Sequence, residues 1–391
     1  MTQHKSITTK PRRLSAQDIY QLTVSTLQNY FPLDMDNSRY EDQDIWDVLI
    51  ASSVERLTIE SVCGLLEETP SPNTVRTSLR GVLPKDEDII NLEDQLNEML
   101  VGHLPKKLFS KKLPCAADIT LIPYHGQHEE DDKYIRRGLA KGGTTHFHGY
   151  ATLFVVKNNK RYTLALTFVY QTDKALDVLK RLLKQAEKLQ LRIKRLYLDR
   201  GFDNNGVVAF LKKQSFPAIF PLVIRGKNGG TRALLKGRKS YITTYTRNST
   251  IYDPETFTVY VVCKYAKGRY KRSGVCYFAY LVIGEIALTP QQIYQEYRSR
   301  FGIETSYRLM NQVRARTASR SPVLRLFLVG IALLLLNLWS YVKWSFLFIP
   351  RRGHRIVFHH LLPLARWRLW LWEVVKQRLG FCMEIVTPLS P

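Results

Sequence analysis

The sequence predicts an α/β protein in which helical regions precede and follow a core of strands and helices. Apolar residues recur at three- and four-residue intervals near the N-terminus, and short β-branched and aromatic segments begin at Pro114. Aliphatic and aromatic residues make up 45% of the 391 residues, which is enough to bury a large core. Because one domain usually has roughly 100–200 residues, we expect two or three structural units.

The first predicted domain is helical and covers residues 1–105. Apolar spacing predicts two of its helices at residues 18–30 and 42–53. Residues 56–81 have the size and order of a helix-turn-helix, in which Thr58 caps one short helix and a second helix starts at Thr74 after a polar turn. Any helical hairpin with a polar turn gives the same pattern, so contact with DNA and a purely structural role both remain open.

The next predicted region, residues 106–224, forms the first part of the core. In chain order its segments are three strands, a helix, a strand, a helix and a strand: 116–122, 146–156, 162–170, 173–189, 195–198, 205–212 and 216–224. This is the element order of a ribonuclease H-like core.

Three further regions follow this core along the chain. Residues 225–286 are basic, contain glycines and carry short Tyr/Thr/Val runs, which predicts a β-rich insertion. Residues 287–320 predict a long helix that completes the core. Residues 321–391 predict a buried apolar helix and a basic, Trp-rich tail, which either holds DNA by charge and stacking or packs its tryptophans inward.

One apolar run, residues 327–342, resembles a membrane span but is too short. A span needs about 20 apolar residues, and this run is bracketed by Arg325 and Lys343. We therefore expect a helix buried in the core. The alternative is a membrane protein anchored by residues 326–349.

The charge balance indicates the class of partner. Lys and Arg number 58 against 34 acidic residues, which gives a net charge of +24. Such a field attracts polyanions and favours nucleic acid, although a basic protein without such a partner has the same composition. The five cysteines are scattered and lack CxxC spacing, which argues against a disulfide framework or structural zinc and fits a reducing cytoplasm.

Three carboxylates lie where the predicted elements can bring them together. Asp118 is in the first core strand, Asp199 follows the fourth, and Glu304 is on the helix after the insertion. Three carboxylates suit two Mg²⁺ ions held about 3.5–4 Å apart, because Mg²⁺ prefers oxygen ligands.

The helix that contains Glu304 is predicted to present a polar face. Tyr297, Arg300, Glu304, Arg308 and Asn311 fall within an arc of roughly 80°. A carboxylate beside cations suits cleavage of a DNA backbone. An ordinary surface helix with i,i+4 ion pairs would show the same face.

Other polar residues are given structural interpretations. His146 and His148 alternate on one strand face, and we expect polar surface groups rather than a metal site. Asp203 lies close to Asp199 on the loop side, and we do not assign it a metal.

These motifs resemble those of IS4-type transposases, a group that includes Tn5-like and ISH3-like enzymes. The spacing Tyr297-x-x-Arg300-x-x-x-Glu304 is similar to the YREK signature. Residues 117–120 (ADIT) and 198–202 (LDRGF) resemble the two aspartate motifs of the group. The resemblance runs from about residue 50 to 345 and is closest to the ISH3-like type. The final lysine of the signature falls on Asn311.

The resemblance implies a ribonuclease H-like fold with a β insertion between the second aspartate and the glutamate. It implies that Asp118, Asp199 and Glu304 hold two Mg²⁺ ions, with Mn²⁺ as a substitute. It maps DNA-phosphate contacts onto Tyr297, Arg300 and Arg200. Asn311, at the lysine position, can hydrogen-bond a phosphate without adding charge, and Arg308 on the same helix face is a candidate to supply that charge in DNA binding.

The activity implied is a DNA transposase of a prokaryotic cytoplasm, associated with the nucleoid. It would cut the ends of its insertion-sequence element and transfer the 3′-hydroxyl to target DNA, acting as a homodimer on double-stranded DNA and without a membrane. The alternative is a catalytically retired DNA-binding protein descended from a transposase.

Overall fold

The computed structural model describes residues 13–35, 38–127, 132–156, 162–265, 274–298, 300, 302–350 and 355–384. The chain divides into two compact units. The described residues of the helical unit fall within Met1–Lys85, Gln312–Ser319 and Ile331–Pro391, and those of the sheet unit fall within Asp86–Asn311 and Arg320–Gly330.

The N-terminal part of the helical unit has four helices with clear start signals. They are α1 (Ala16–Tyr30), α2 (Asp42–Glu55), α3 (Ile59–Leu65) and α4 (Pro72–Val82). The Thr58 side chain accepts a hydrogen bond from the Ser61 amide, which confirms the predicted cap of α3. Helix α4 begins at Pro72 rather than Thr74, because Ser71 caps it and proline is well suited to the first helical position.

The C-terminal helix α12 (Leu364–Leu379) packs in the same unit against α2. Trp367 is fully buried, so for this tryptophan the inward-packing interpretation is correct. Buried Asp47 of α2 accepts hydrogen bonds from the Tyr20 hydroxyl at 2.5 Å and from Arg378 Nε at 2.8 Å. Burial raises the pKa of Asp47 to about 6.

The sheet unit contains, among its described residues, nine strands in one sheet. They are β1 (Leu113–Pro123), β2 (Arg136–Lys141), β3 (Thr144–Val155), β4 (Thr163–Val169), β5 (Ile193–Leu198), β6 (Ala218–Pro221), β7 (Tyr241–Arg247), β8 (Glu255–Tyr265) and β9 (Val275–Ile283). The order is β2-β3-β1-β5-β6-β9-β8-β7, with β4 also paired to β3. Strands β1, β5 and β6 are parallel to one another, and the other pairs are antiparallel.

The strands predicted for the insertion continue this sheet. Strand β9 pairs with β6, with Ala218 opposite Ile283, and β8 and β7 follow as antiparallel neighbours. The described part of residues 225–286 thus contains three strands, and they lie in the same sheet as the core strands. The short, mostly exposed strand β2 was not predicted, because its residues have little apolar alternation.

The helices of the sheet unit connect or cover its strands. They are α5 (Ile89–Gly102), α6 (Lys106–Phe109), α7 (Ala175–Lys188), α8 (Asn205–Lys213), α9 (Pro290–Arg298) and α10 (Gly302–Met310). The apolar positions of α7 are buried against β3 and β4, as the amphipathic pattern predicts.

Helix α5 packs alongside strand β4, and two of its side chains form hydrogen bonds with the backbone of that strand. Asn97 donates to the Leu166 carbonyl at 3.0 Å and accepts from the Leu166 amide at 2.7 Å. Glu93 accepts from the Phe168 amide at 2.7 Å and from the Thr167 hydroxyl at 2.9 Å. Four residues of helix rise about 6 Å and two residues of strand about 6.6 Å, so the two spacings match.

The apolar run forms helix α11 (Pro322–Ser345). Among the described residues it is the one helix long and apolar enough to cross a membrane, with a mean hydropathy of 2.1 over its most apolar window. That window is 83% buried, which is typical of a core helix.

The surface interpretation of His148 is wrong. Its ring is buried and packs edge-on against Tyr124 at 5.0 Å and Phe168 at 6.0 Å, measured between ring centroids. Burial lowers the pKa of His148 to about 3, because a charged ring at this position would have lost its hydration by water. The C-terminal half of β3 is covered by protein, so the alternation expected of a half-exposed strand does not hold there.

Candidate active site

Two aspartates meet where the parallel strands β1 and β5 lie side by side. Ala117 of β1 is paired with Leu198 of β5, and each is followed directly by an aspartate, Asp118 or Asp199. The β5 strand ends at Leu198, so Asp199 is at its carboxyl end. The strand register therefore brings together two carboxylates that are far apart in sequence.

Arg300 lies between these two carboxylates. Its Nη1 atom is 3.5 Å from Asp118 Oδ2, and its Nη2 atom is 3.1 Å from Asp199 Oδ1. The Arg300 side chain is 6% exposed, that of Asp118 is 14% exposed, and that of Asp199 is 44% exposed. One buried guanidinium thus bridges two acids, of which Asp199 is the more open to solvent.

The backbone around Asp118 is held by a buried tyrosine. The Tyr307 hydroxyl is 2.8 Å from the Asp118 carbonyl oxygen, to which it donates, and 2.8 Å from Thr152 Oγ1 on β3. Burial raises the pKa of Tyr307 well above its ordinary value. Asp118 Oδ1 also accepts a hydrogen bond from the Ile119 amide at 2.8 Å. Sequence reasoning missed Tyr307, because a tyrosine on an amphipathic helix carries no distinguishing local signal.

Tyr297 lies beneath the site. Its hydroxyl donates to the Leu198 carbonyl at 2.9 Å, and its ring is 5.3 Å from the Arg300 guanidinium carbon. Burial raises the pKa of Tyr297. In this structure the Tyr297 side chain therefore supports the end of β5 and the position of Arg300.

The segment expected to form one long helix forms two. Helix α9 ends at Arg298 and helix α10 begins at Gly302, so the single polar face predicted for residues 297–311 is wrong. Glycine is among the weakest helix formers, which is consistent with a break at this point. The main chain of Glu304 is in α10, but its side chain lies outside the described residues. Arg308 is exposed on α10, and Asn311 is exposed just after it.

Asp203, which the sequence analysis left without a metal, has a buried partner. It forms an ion pair with Arg247, and its Oδ2 atom accepts from the Val223 amide at 2.6 Å. Arg247 Nε donates to Asn205 Oδ1 at 2.6 Å. This arrangement joins the loop after β5 to the end of β7.

A cleft of about 610 Å³ opens beside Asp199 and Arg300. Arg200 and Arg298 add positive charge to its wall. Much of the wall is aromatic and comes from β9 and α9, with the residues Tyr277, Phe278, Tyr280, Tyr294 and Tyr297. Arg200 is exposed at the end of β5. Its volume is typical of a small-ligand site, and of the two aspartates Asp199 is the one that lines it.

The donor set fits a hard divalent cation. Asp118 and Asp199 bring carboxylate oxygens of the kind that such a cation prefers, and Arg300 already pairs with both of them. Within the described side chains, no group of three or more His, Cys, Asp or Glu residues is placed to hold a metal. A third carboxylate would therefore have to come from a side chain outside them.

Comparisons with known proteins show a family and a similar fold. A family model described as "Transposase DDE domain" matches residues 110–338, which is more than half of the chain. A solved structure of a piggyBac transposase synaptic complex with hairpin DNA is similar in fold, with a TM-score of 0.56 over 94% of this chain and 82% of that chain. The sequences are 9% identical, so this likeness shows the fold alone. A comparison with curated proteins gave no match.

Proposed function

The chain belongs to the transposase DDE-domain family, and from that premise we propose that it cuts the ends of its own insertion-sequence element and joins the freed 3′-hydroxyl to target DNA. The observation that carries the proposal is the convergence of Asp118 and Asp199 at neighbouring strands, beside a cleft with cationic walls. The IS4-type subgroup is part of the proposal and rests on the Tyr297, Arg300 and Glu304 spacing.

The strand order supports a ribonuclease H-like core. Strands β4, β3 and β1 are antiparallel neighbours, and β5 and β6 continue the sheet parallel to β1. The meander β9-β8-β7 is then an addition beyond β6, placed in sequence between Asp199 and the helix that contains Glu304.

The metal site of the proposal uses the three carboxylates. Asp118, Asp199 and Glu304 would hold two Mg²⁺ ions, with Mn²⁺ as a substitute. When bound, the ions supply activation of the attacking oxygen and stabilisation of the leaving oxygen. Helix α10 gives Glu304 a rigid base, and Tyr307 fixes the main chain at Asp118.

The proposal assigns contacts with DNA to five further residues. Arg200 and Arg308 are exposed and supply charge to the DNA backbone, and Asn311 supplies an amide. Arg300 contributes a planar donor pair suited to a phosphate. Tyr297 orients Arg300 and the end of β5, and it approaches DNA only through the cleft that it lines.

The partner is double-stranded DNA, bound by a homodimer that pairs two element ends in a prokaryotic cytoplasm. The net charge of +24 supports a polyanionic partner. The related piggyBac complex contains hairpin DNA, which supports a hairpin route for this chain as well.

The test is cleavage of a plasmid that carries the flanking DNA of the gene, with Mg²⁺ or with EDTA. Wild type is compared with Asp118→Asn, Asp199→Asn and Glu304→Gln, and with Asp253→Asn as an exposed control. Metal-dependent cuts at the element ends, lost in the three site variants only, would support the proposal. Specific binding of those ends without cleavage would instead identify a retired DNA-binding relative.

A further inference from the structure

Arg300 occupies the place where the proposed function requires a divalent cation. Its guanidinium contacts Asp118 and Asp199 at the same time. We propose that Arg300 is a displaceable internal counter-ion, so that a divalent cation binds the aspartates only as the guanidinium leaves them. This inference rests on the proposed function, because it assumes that the aspartates are metal ligands.

The competition follows from the oxygens that the two ligands would share. Asp118 Oδ1 accepts a hydrogen bond from the Ile119 amide, and Asp118 Oδ2 is an atom that contacts Arg300. Asp199 Oδ1 is the other oxygen that the guanidinium contacts. A cation that takes these two oxygens would meet a fixed positive charge at close range, and such repulsion is strong in a partly buried site.

Arg300 has a route away from the aspartates. It lies between the end of α9 at Arg298 and the start of α10 at Gly302, so its side chain is part of neither helix. It also lines the cleft of about 610 Å³ that opens beside Asp199. The guanidinium can therefore turn into the cleft while a cation enters over Asp199, the more exposed of the two acids.

DNA supplies the reason for Arg300 to leave. A backbone phosphate in the cleft offers the guanidinium a second anion with matching geometry. Once Arg300 binds the phosphate, the two carboxylates are free for the cation. Metal and DNA then favour each other's binding, and each raises the affinity of the other by the same factor. The device keeps the metal centre weakly loaded until DNA is present.

The experiment measures Mn²⁺ binding to the DNA-free full chain by titration calorimetry. Wild type is compared with Arg300→Gln and Arg300→Lys. Arg137→Gln is the control, because it removes the same charge from an exposed position on β2, outside the cleft. We expect Arg300→Gln to bind Mn²⁺ about tenfold more tightly, Arg300→Lys to fall between it and wild type, and the control to stay within about twofold.

Thermal unfolding gives a second readout that does not depend on activity. In EDTA, Arg300→Gln leaves two acids without their shared cation, so we expect its Tm to be lower than that of wild type. Added Mn²⁺ should raise the Tm of Arg300→Gln more than that of wild type, because the tighter ligand stabilises more. A duplex from the gene's flanking DNA should increase Mn²⁺ affinity in wild type and leave Arg300→Gln unchanged.

The outcomes separate this inference from the proposed function. In one outcome, wild type binds Mn²⁺, Asp199→Asn does not, and Arg300→Gln binds Mn²⁺ no more tightly than wild type. The counter-ion role is then overturned and the metal site stands. If neither wild type nor any Arg300 variant binds Mn²⁺, with or without DNA, both are overturned.

Discussion

Two aspartates four residues apart after β5 have opposite environments. Asp199 is 44% exposed and contacts Arg300, whereas the Asp203 side chain is fully buried with Arg247 and also accepts the Val223 amide. Both are aspartates paired with an arginine, so residue type and sequence position do not separate them. What separates them is how many acceptor positions of each carboxylate the protein already uses. Asp203 is committed to the fold, and Asp199 keeps oxygen atoms available to a ligand.

The largest expected difference is in activity. Asp199→Asn should reduce DNA cleavage on the order of a thousandfold or more, because a metal ligand is lost. Its free energy of unfolding should change by less than about 1 kcal/mol, because the side chain is 44% exposed and Arg300 keeps its contact with Asp118. Cleavage assays and urea denaturation of the same preparation measure both. A stable Asp199→Asn protein that still cuts at the wild-type rate would remove the contrast with Asp203.

The reverse result is expected for Asp203→Ala. Removing one partner of a buried ion pair leaves Arg247 unbalanced, and the free energy of unfolding should fall by about 3–5 kcal/mol. The double variant with Arg247→Met should lose less than the sum of the two single variants. Exposed Asp253→Ala is the control. Equal losses for Asp253 and Asp203 would show that the buried pair has no special role in stability.

Glu93 is a further buried acid, unlike the half-exposed Asp199. Its carboxyl group accepts hydrogen bonds from the Phe168 amide and the Thr167 hydroxyl. Burial raises its pKa from the ordinary 4.5 to about 7. Between these values the folded protein keeps a proton that the unfolded chain releases, so this stability is fully present below pH 4.5 and lost as the pH rises through about 7. Glu93→Gln should reduce the loss of stability with rising pH by up to about 1.4 kcal/mol per pH unit.

Denaturant unfolding at a series of pH values measures this slope. Glu98→Gln, an exposed substitution on the same helix, is the matched control and should keep the wild-type slope. A Glu93→Gln protein with the wild-type slope would contradict the raised pKa.

The smallest expected effect comes from the main chain behind Asp118. Tyr307→Phe removes a hydroxyl that bonds the Asp118 carbonyl and Thr152, and should cost about 1–2 kcal/mol of stability. The cleavage rate at saturating DNA should fall while DNA affinity is kept, because Tyr307 positions a carboxylate and does not bind DNA. Tyr265→Phe, an exposed tyrosine bonded to the Arg238 carbonyl, should change neither quantity.

Many helices and strands could be predicted because the spacing of apolar residues along the sequence indicates them. Alternation and apolar runs predicted β1, β3, β4, β5 and β6, and helical spacing predicted α7 and α8. The placement of Asp118 and Asp199 at neighbouring strands followed from their positions in those strands, and the observed register agrees. Their chemical roles, and that of Glu304, stay predictions.

The remainder depends on contacts between distant segments. The pairing of β9 with β6 requires a register that no local pattern encodes, and it turned a predicted insertion into part of the main sheet. Arg300 was predicted from helical spacing as one of several cations on a face, whereas the break before Gly302 directs it to the two aspartates. Tyr307 and Thr152 are adjacent only after folding, so their hydrogen bond has no sequence signature.

The bonds from Glu93 and Asn97 to β4 have a consequence for how the sequence can vary. Within an otherwise apolar helix face, a buried acid and a buried amide four residues apart look like positions that any Leu or Met could improve. Here they bond the free edge of β4 as a neighbouring strand would, so an apolar residue at either position would leave a strand amide without an acceptor. Related chains should therefore keep hydrogen-bonding side chains at these two positions even where the surrounding core residues are freely exchanged.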